Sequence, residues 1–382
     1  MAESRNPADL GASTPLVPPL YQSAVYTLPD LDALDRIMEG DKPGFIYARD
    51  AHPNARHLAA AVAELEGGAW AVVTGSGMAA ISGILLALLG QGDRAVISNR
   101  LYGRTTQLFQ QEFGRYGVQT AVVDANDLGA VRTALEKPAR LLFVETMSNP
   151  MVRVVDLPAL AATAHDCGAL LVVDNTFATP ALCRPLELGA DLVMESLTKM
   201  MGGHSDVTLG AVCGSNDLLP QLSQVVSIWG LASNPFDCWL AGRGLGTLEL
   251  RMAAASANAE RLADWLADQP AVSRVVYPGR TDHPDHELAH RLLGGRYGNM
   301  LCFELRGGRD GVNRFLRRAR GIPFSPSLGN TTTTVSHPGT TSHRYVSPAE
   351  KRRQGISDGL VRVSVGAEDF DLLREEMGKG LT

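Results

Sequence analysis

Two runs decide the fold: Leu170-Leu-Val-Val-Asp174-Asn-Thr-Phe177, and Asp191-Leu-Val-Met-Glu-Ser-Leu-Thr-Lys199 a little further on. Each is a short apolar run ending in polar or ionisable residues, the pattern of a buried strand feeding a loop. Working outward, similar runs occur at Trp70–Val73, Arg94–Ile97, Gln119–Val123 and Leu141–Val144. Helical stretches lie between them, at Met78–Leu89, Thr105–Phe113, Leu128–Leu135 and Leu157–Asp166. Strand and helix alternating at this spacing predict an α/β fold, a mostly parallel sheet covered on both faces.

Residues 1–51 are rich in proline and polar residues, with one helical pattern from Asp30 to Met38, and read as an arm. Residues 52–248 form the expected large domain. From 249 to 382 the pattern changes to a long helix over Leu248–Leu266 and apolar runs at Val272–Tyr277, Met300–Leu305 and Val361–Val365. This predicts a smaller C-terminal α+β domain.

The whole chain has 382 residues and a net charge of −6, with 45% apolar and 20% charged residues. That composition excludes a coiled coil, a disordered chain and a basic nucleic-acid binder. The five cysteines are widely spaced with no C-x-x-C pair, which argues against a disulfide framework or a thiolate zinc site. The opening MAESRNPADLGASTP shows no apolar core behind a basic end, and no apolar run reaches the ~20 residues of a membrane span. A reducing, cytoplasmic setting is expected, with no membrane or nucleic-acid partner.

Lysine is scarce: Lys42, Lys137, Lys199, Lys351 and Lys379 stand against thirty arginines. Of these only Lys199 follows an apolar run. In open α/β sheets, ligands bind beyond the carboxyl ends of the strands. Asp174 at the end of one strand and Lys199 after the next therefore point into one crevice. Alone, Asp174 could be a helix cap or half of an ion pair, and Lys199 a surface residue. Together they suit pyridoxal 5'-phosphate: the lysine links covalently to the cofactor's aldehyde, and the acid keeps a proton on the pyridine nitrogen.

Gly75-Ser-Gly77 opens an apolar helix, where backbone N–H groups can meet an anion; a tight turn is the plainer explanation. A dinucleotide reading is weak, because no well-placed acid ends the following strand. Ser196 and Thr198 flank Lys199 and can give hydroxyl bonds to the same phosphate. Tyr102 either covers the core or stacks on a planar cofactor. Arg362, inside Leu-Val-Arg-Val-Ser-Val, needs an acidic partner: an internal carboxylate, or the carboxylate of a substrate. The sharpest rival is His286-Glu-Leu-Ala-His290, which matches the H-E-x-x-H zinc signature; it lacks a third ligand pattern and reads better as a polar surface helix.

The chain resembles the pyridoxal-phosphate-dependent Cys/Met metabolism family. The resemblance rests on Pro18-Pro-Leu-Tyr-Gln22, Tyr47-Ala-Arg49, Gly75-Ser-Gly-Met78, Leu101-Tyr-Gly103, Ser148-Asn-Pro150, Val173-Asp-Asn-Thr-Phe177, Ser196-Leu-Thr-Lys199, Ser327-Leu-Gly329 and Val361-Arg-Val-Ser-Val-Gly366. It implies the fold-type-I transferase architecture and a homotetramer built from tight dimers. It also implies roles. Lys199 carries the cofactor and moves protons, Asp174 pairs with the ring nitrogen, and Tyr102 stacks and assists the leaving group. Gly77, Met78, Ser196 and Thr198 hold the phosphate, with Tyr47 and Arg49 reaching the neighbouring subunit's phosphate. Asn149, Ser327 and Arg362 hold the amino-acid substrate by its carboxylate, and no metal is implied.

The implied activity is carbon–sulfur lysis of a sulfur amino acid by elimination at Cγ, with β-elimination as a companion. Its products are a 2-oxo acid, ammonia and a thiol. The alternative is γ-replacement, joining an O-acylhomoserine to a thiol. Four positions depart from the family pattern. His52-Pro-Asn54 and Met200 replace its usual Asn-Pro-Thr and tyrosine. Arg104 places a cation where an acidic substrate tail would benefit. Pro326 stands where glutamate is usual, which removes the carboxylate that would receive a distal amino group.

Overall fold

The computed structural model describes residues 13–382 apart from Asn216; residues 1–12 of the expected arm lie outside the described residues. Seven strands form the larger sheet: β1 (Trp70–Thr74), β2 (Arg94–Ser98), β3 (Gln119–Val123), β4 (Leu141–Glu145), β5 (Leu170–Asp174), β6 (Leu192–Glu195) and β7 (Gly210–Gly214). Their spatial order is β1-β7-β6-β5-β4-β2-β3. Pairings from β3 through β6 are parallel, and β7 runs antiparallel to both β6 and β1.

Alternate residues of the central strands face opposite layers, because successive side chains of a strand point to opposite sides. Ile97, Phe143, Val172 and Met194 pack under the helix Gly77–Leu88 on one face. Val96, Leu142, Val144, Leu171 and Val193 pack on the other, in a core that continues into the C-terminal part of the chain. Burial on both faces is why these strands read as continuous apolar runs.

The smaller sheet contains β8 (Val272–Val276), β9 (Met300–Leu305), β10 (Thr334–Ser336) and β11 (Leu360–Ser364), in the order β10-β11-β9-β8 and wholly antiparallel. The 20-residue helix Leu248–Ala267 leads into it. The larger, parallel-dominated sheet and the smaller antiparallel one agree with the fold expected from the sequence.

Two strands are absent from the sequence reading. β7 is Gly-Ala-Val-Cys-Gly, an apolar run too short to register and bounded by glycines that read as turns. The bounding glycines answer to packing: a Cβ on Gly210 would lie 2.4 Å from Ser76 O, and one on Gly214 2.7 Å from the Trp70 ring. β10 begins at the end of the threonine run 331–334, which reads as low complexity. The stretch Thr105–Phe113 also differs in detail, being one α-helical turn (Gly103–Gln107) followed by a π-helix (Leu108–Phe113).

The H-E-x-x-H segment does form a helix, His286–Leu292. Its histidines are engaged within the fold. His286 Nδ1 lies 2.9 Å from Pro278 O, His290 Nδ1 lies 2.8 Å from Tyr297 Oη, and the His286 ring stacks on Tyr297. Among the described residues, no three His, Cys, Asp or Glu side chains converge as metal ligands would. No helix among them is long and apolar enough to cross a membrane.

Candidate active site

The carboxyl ends of β1, β4, β5 and β6 open onto one cavity of about 230 Å³. Gly77, Met78, Tyr102, Asn149, Asp174, Ser196, Thr198, Lys199 and Arg362 line it together. Ser327 reaches it through Lys199, whose Nζ donates to Ser327 Oγ at 3.1 Å. Burial lowers the Lys199 pKa, and the nearby Arg362 adds to the effect. A lysine so placed is neutral more of the time, as a nucleophilic amine must be.

Asp174 ends β5, and its Oδ1 accepts from Thr176 N at 3.0 Å. Burial raises its pKa to about 6. Among the described residues, no cation forms an ion pair with it. A buried carboxylate lacking a cation on the wall of a cavity suits a protonated ring nitrogen as guest.

The helix Gly77–Leu88 points its N-terminus at the same space. Ser76 caps it, accepting from Ala79 N at 3.0 Å. The N–H groups of Gly77 and Met78 have no partner within the helix and are available to an anion. Gly77 is required here by close approach: a Cβ would lie 3.0 Å from both Cβ and Oγ of Ser196. Thr198 also lines the cavity, but its hydroxyl proton goes to Leu209 O at 3.1 Å, and its oxygen accepts from Leu209 N at 3.0 Å. To serve an anion, this hydroxyl must turn away from the carbonyl. With the uncompensated carboxylate, the glycine-sized approach and the free helix N–H groups, the residues present fit pyridoxal phosphate.

Arg362 sits in the middle of β11 and is 2% exposed. Nη1 donates to Asn149 Oδ1 at 2.9 Å and Nη2 to Ser327 O at 3.0 Å, while Nε has no partner among the described residues. Burial pulls its pKa down to about 10. Only neutral acceptors hold this buried guanidinium, so the internal carboxylate that the sequence left open is not there. The fork remains free to take a carboxylate from the cavity.

Tyr102 lines this cavity, while Arg104 lines a second, outer one that also includes Tyr102. Tyr47 and Arg49 are not brought to either cavity of the single chain. Arg49 instead lies over the Tyr47 ring, 5.3 Å from its centroid, and both are exposed.

Several residues of the site were given no role by the sequence. Glu145, at the end of β4, accepts from Tyr102 N at 2.6 Å and from Asn149 N at 3.3 Å, tying two walls together. Burial raises its pKa well above the usual range, and the charge of Asp174 adds to this. Behind the floor, Glu66 and Glu195 are wholly buried and hydrogen-bond each other. Asn175, next to Asp174, donates to Glu66 Oε1 at 3.3 Å. Burial lifts Glu66 to about 7 and Glu195 well above its usual value, each reinforced or tempered by the other. Arg251 donates to the carbonyls of Met200, Met201 and Gly244 and so holds the turn that follows Lys199. Strand-end position was the available clue for Glu145 and Glu195; Glu66 and Arg251 lie in ordinary helical sequence.

Comparison with known proteins places the chain. An O-succinylhomoserine sulfhydrylase of Pseudomonas aeruginosa is 43% identical over 342 residues, 90% of this chain and 85% of the relative. An L-methionine gamma-lyase of Pseudomonas putida is 39% identical over 378 residues, 98% of this chain and 94% of the relative. The crystal structure of a cystathionine gamma synthase from Xanthomonas oryzae pv. oryzae, in complex with cystathionine, superposes with a TM-score of 0.90. That structure is 37% identical and covers 96% of this chain and 92% of its own. The model of the Cys/Met metabolism PLP-dependent enzymes matches residues 2–382. The chain belongs to the Cys/Met metabolism family of pyridoxal-phosphate-dependent enzymes.

Proposed function

We propose that this enzyme cleaves the bond between Cγ of an amino acid and a sulfur substituent and, with the uptake of one water, releases a 2-oxo acid, ammonia and a thiol. Elimination at Cβ accompanies it. The observation that carries the reading is the convergence of Lys199, Asp174 and the Arg362–Asn149 fork on one cavity. Pyridoxal phosphate supplies the electron sink that stabilises negative charge on the substrate's α-carbon.

The chain's own residues supply the rest. The Arg362 fork and Asn149 hold the substrate carboxylate and fix its orientation. Ser327 steadies the Lys199 amine. Lys199, with its pKa lowered, would accept the Cα proton and, once relieved of it, a second proton from Cβ, whose electron pair expels the γ-substituent. Asp174 would hold a proton on the ring nitrogen. Gly77, Met78 and Ser196, with Thr198 after a rotor change, would bind the phosphate. Tyr102 would lie against the ring and protonate the departing substituent.

Other parts of this reading concern assembly and setting. Residues 52–248 act as the cofactor-binding domain, and 249–382 as a smaller domain that brings Ser327 and Arg362 to it. The arm 1–51 carries Tyr47 and Arg49 to a neighbour's phosphate within a cytoplasmic homotetramer. Exposed Leu16, Val17, Leu20 and Tyr21 on the arm are consistent with cover from another subunit.

A second reading, γ-replacement on an O-acylhomoserine, is favoured by the similarity to the P. aeruginosa sulfhydrylase. One experiment separates the two. The enzyme is incubated with cystathionine, methionine, cysteine, O-acetylhomoserine and O-succinylhomoserine, with and without added cysteine. Release of 2-oxo acid from a thioether supports lysis. Thioether formation without appreciable 2-oxo acid overturns it in favour of replacement.

A further inference from the structure

Asp285 stands at the N-cap of the helix His286–Leu292, yet its side chain makes no cap bond to that helix. An aspartate at this position ordinarily satisfies the first free N–H groups of its own helix. Here the buried carboxylate is turned onto the loop that follows β4. Arg153 donates to it twice, Nε to Oδ2 and Nη2 to Oδ1 at 2.9 Å, and Val154 N donates to Oδ2 at 3.0 Å. His283 Nδ1 accepts from Asp285 N at 3.2 Å and so fixes the backbone of the acid itself. Arg291, on the same helix, pairs with Asp156 at 3.2 Å. The helix and the segment 153–156 therefore meet through two ion pairs of opposite sense.

Arg153 and Val154 belong to a closed hairpin. Met147 and Val154 form an antiparallel bridge, Ser148 N donates to Arg153 O and Val152 N to Ser148 O, both at 2.9 Å, and Arg153 N donates to Ser148 Oγ at 3.1 Å. Val152 has φ +45°, a left-handed conformation that a β-branched residue keeps only where its surroundings hold it. Near the tip is Asn149, whose Oδ1 accepts from Arg362 Nη1 at 2.9 Å. Glu145 anchors the outgoing arm through Asn149 N, and Asp285 anchors the returning one. We propose that Asp285 and Arg153 are positioning residues for the substrate's carboxylate: the pair fixes the hairpin, the hairpin sets Asn149, and Asn149 sets the plane of the Arg362 guanidinium. The inference deepens the reading above and rests on it for Arg362 as the seat of that carboxylate. Two parallel bonds form only when guanidinium and carboxylate share a plane, so a tilted fork weakens the grip on that group and on no other part of the ligand.

The test is one of binding to the holoenzyme, read from the absorbance of the bound cofactor. L-Norleucine carries the carboxylate and has no group to lose; pentylamine is the same molecule without the carboxylate. The wild type should bind L-norleucine about tenfold tighter or more. Arg153→Met keeps the bulk of its side chain, and Asp285→Asn keeps an acceptor for Val154 N–H. Each should cut the preference about fivefold or more, with the affinity for pentylamine changed less than about twofold. The double variant should lose no more than the larger single loss, because both side chains act through one hairpin. Arg153→Lys should lose less than Arg153→Met. A preference unchanged in both single variants overturns the inference. So does an equal weakening of the two probes, which marks a general fault in the fold and not a tilted fork. Equal affinity of the wild type for the two probes overturns it together with the seat assigned to the carboxylate. If the variants behave as stated but the wild type releases no 2-oxo acid from any thioether, the reading of the reaction fails and this assignment stands.

Discussion

Lys199 Nζ and Ser327 Oγ are 3.1 Å apart although 128 residues separate them in the chain. The same Ser327 accepts from Arg362 through its carbonyl. The amine proposed to carry the cofactor and the guanidinium proposed to hold the substrate carboxylate therefore share one neighbour. Replacing Lys199 with alanine should lower turnover by on the order of 10⁴-fold or more, since it removes both the cofactor link and the proton carrier. Hydride trapping followed by peptide mass analysis should find the phosphopyridoxyl adduct on residue 199 of the wild type and nowhere in the variant. An adduct on another lysine would contradict the assignment.

The Arg362 fork makes a prediction of a different kind. Arg362→Lys keeps a positive charge but loses the planar pair of donors. KM should rise roughly 100-fold for every amino-acid substrate, with a smaller change in kcat. Steady-state kinetics on two substrates with different tails checks this, because the shared α-carboxylate makes the rise common to both.

Glu145 acts through its neighbours. Removing its carboxyl leaves the Tyr102 and Asn149 N–H groups without their acceptor. Glu145→Ala should lower kcat about tenfold while bound cofactor, read from its absorbance, stays near one per chain. Loss of cofactor in parallel with activity would instead mark a general structural fault.

Buried Glu66 and Glu195 set a pH dependence of stability. Their pKa values in the folded chain are raised above those of the unfolded chain. The folded state therefore binds more protons in that interval, and stability falls as pH rises from the ordinary glutamate value through about 7. For Glu66 the penalty approaches roughly 3 kcal/mol above that pH. Glu195→Gln gives Glu66 an amide donor in place of a competing acid, so the variant should lose less stability between pH 5.5 and 8. Denaturant titrations at the two pH values measure this; equal slopes for both proteins would refute it.

Arg49 lies outside the cavity of its own chain. Arg49→Ala should weaken cofactor retention about tenfold, as expected for one lost phosphate contact. Dialysis followed by absorbance reports occupancy. Full retention in the assembled variant would show that the arm does not serve a neighbour.

The sequence made the parallel strands legible because burial on both faces requires unbroken apolar runs, and Leu170–Asp174 and Leu192–Glu195 are such runs. Lys199 stood out because lysine is rare here and this one follows a buried strand. β7 escaped notice for a physical reason: its flanking glycines exist to let Ser76 and Trp70 approach, a constraint visible only in three dimensions. Glu66 escaped for another. It ends an ordinary amphipathic helix, Pro53–Glu66, and only the tertiary fold turns it towards Glu195 and Asn175. The resemblance grouped Asn149 with Arg362, and the structure adds that Asn149, 213 residues away, accepts directly from its guanidinium.

Gly329 gives the molecule a final property. Its φ is +84°, and a Cβ there would lie 2.6 Å from Met200 N and 2.7 Å from Lys199 C. The segment from the C-terminal part of the chain thus rests on the backbone of Lys199 with no room for a single methyl group. Hybrids that exchange one half of this enzyme for that of a relative would need a hydrogen-only side chain at that seam. A larger residue would press on the backbone that carries Lys199 and displace its amine.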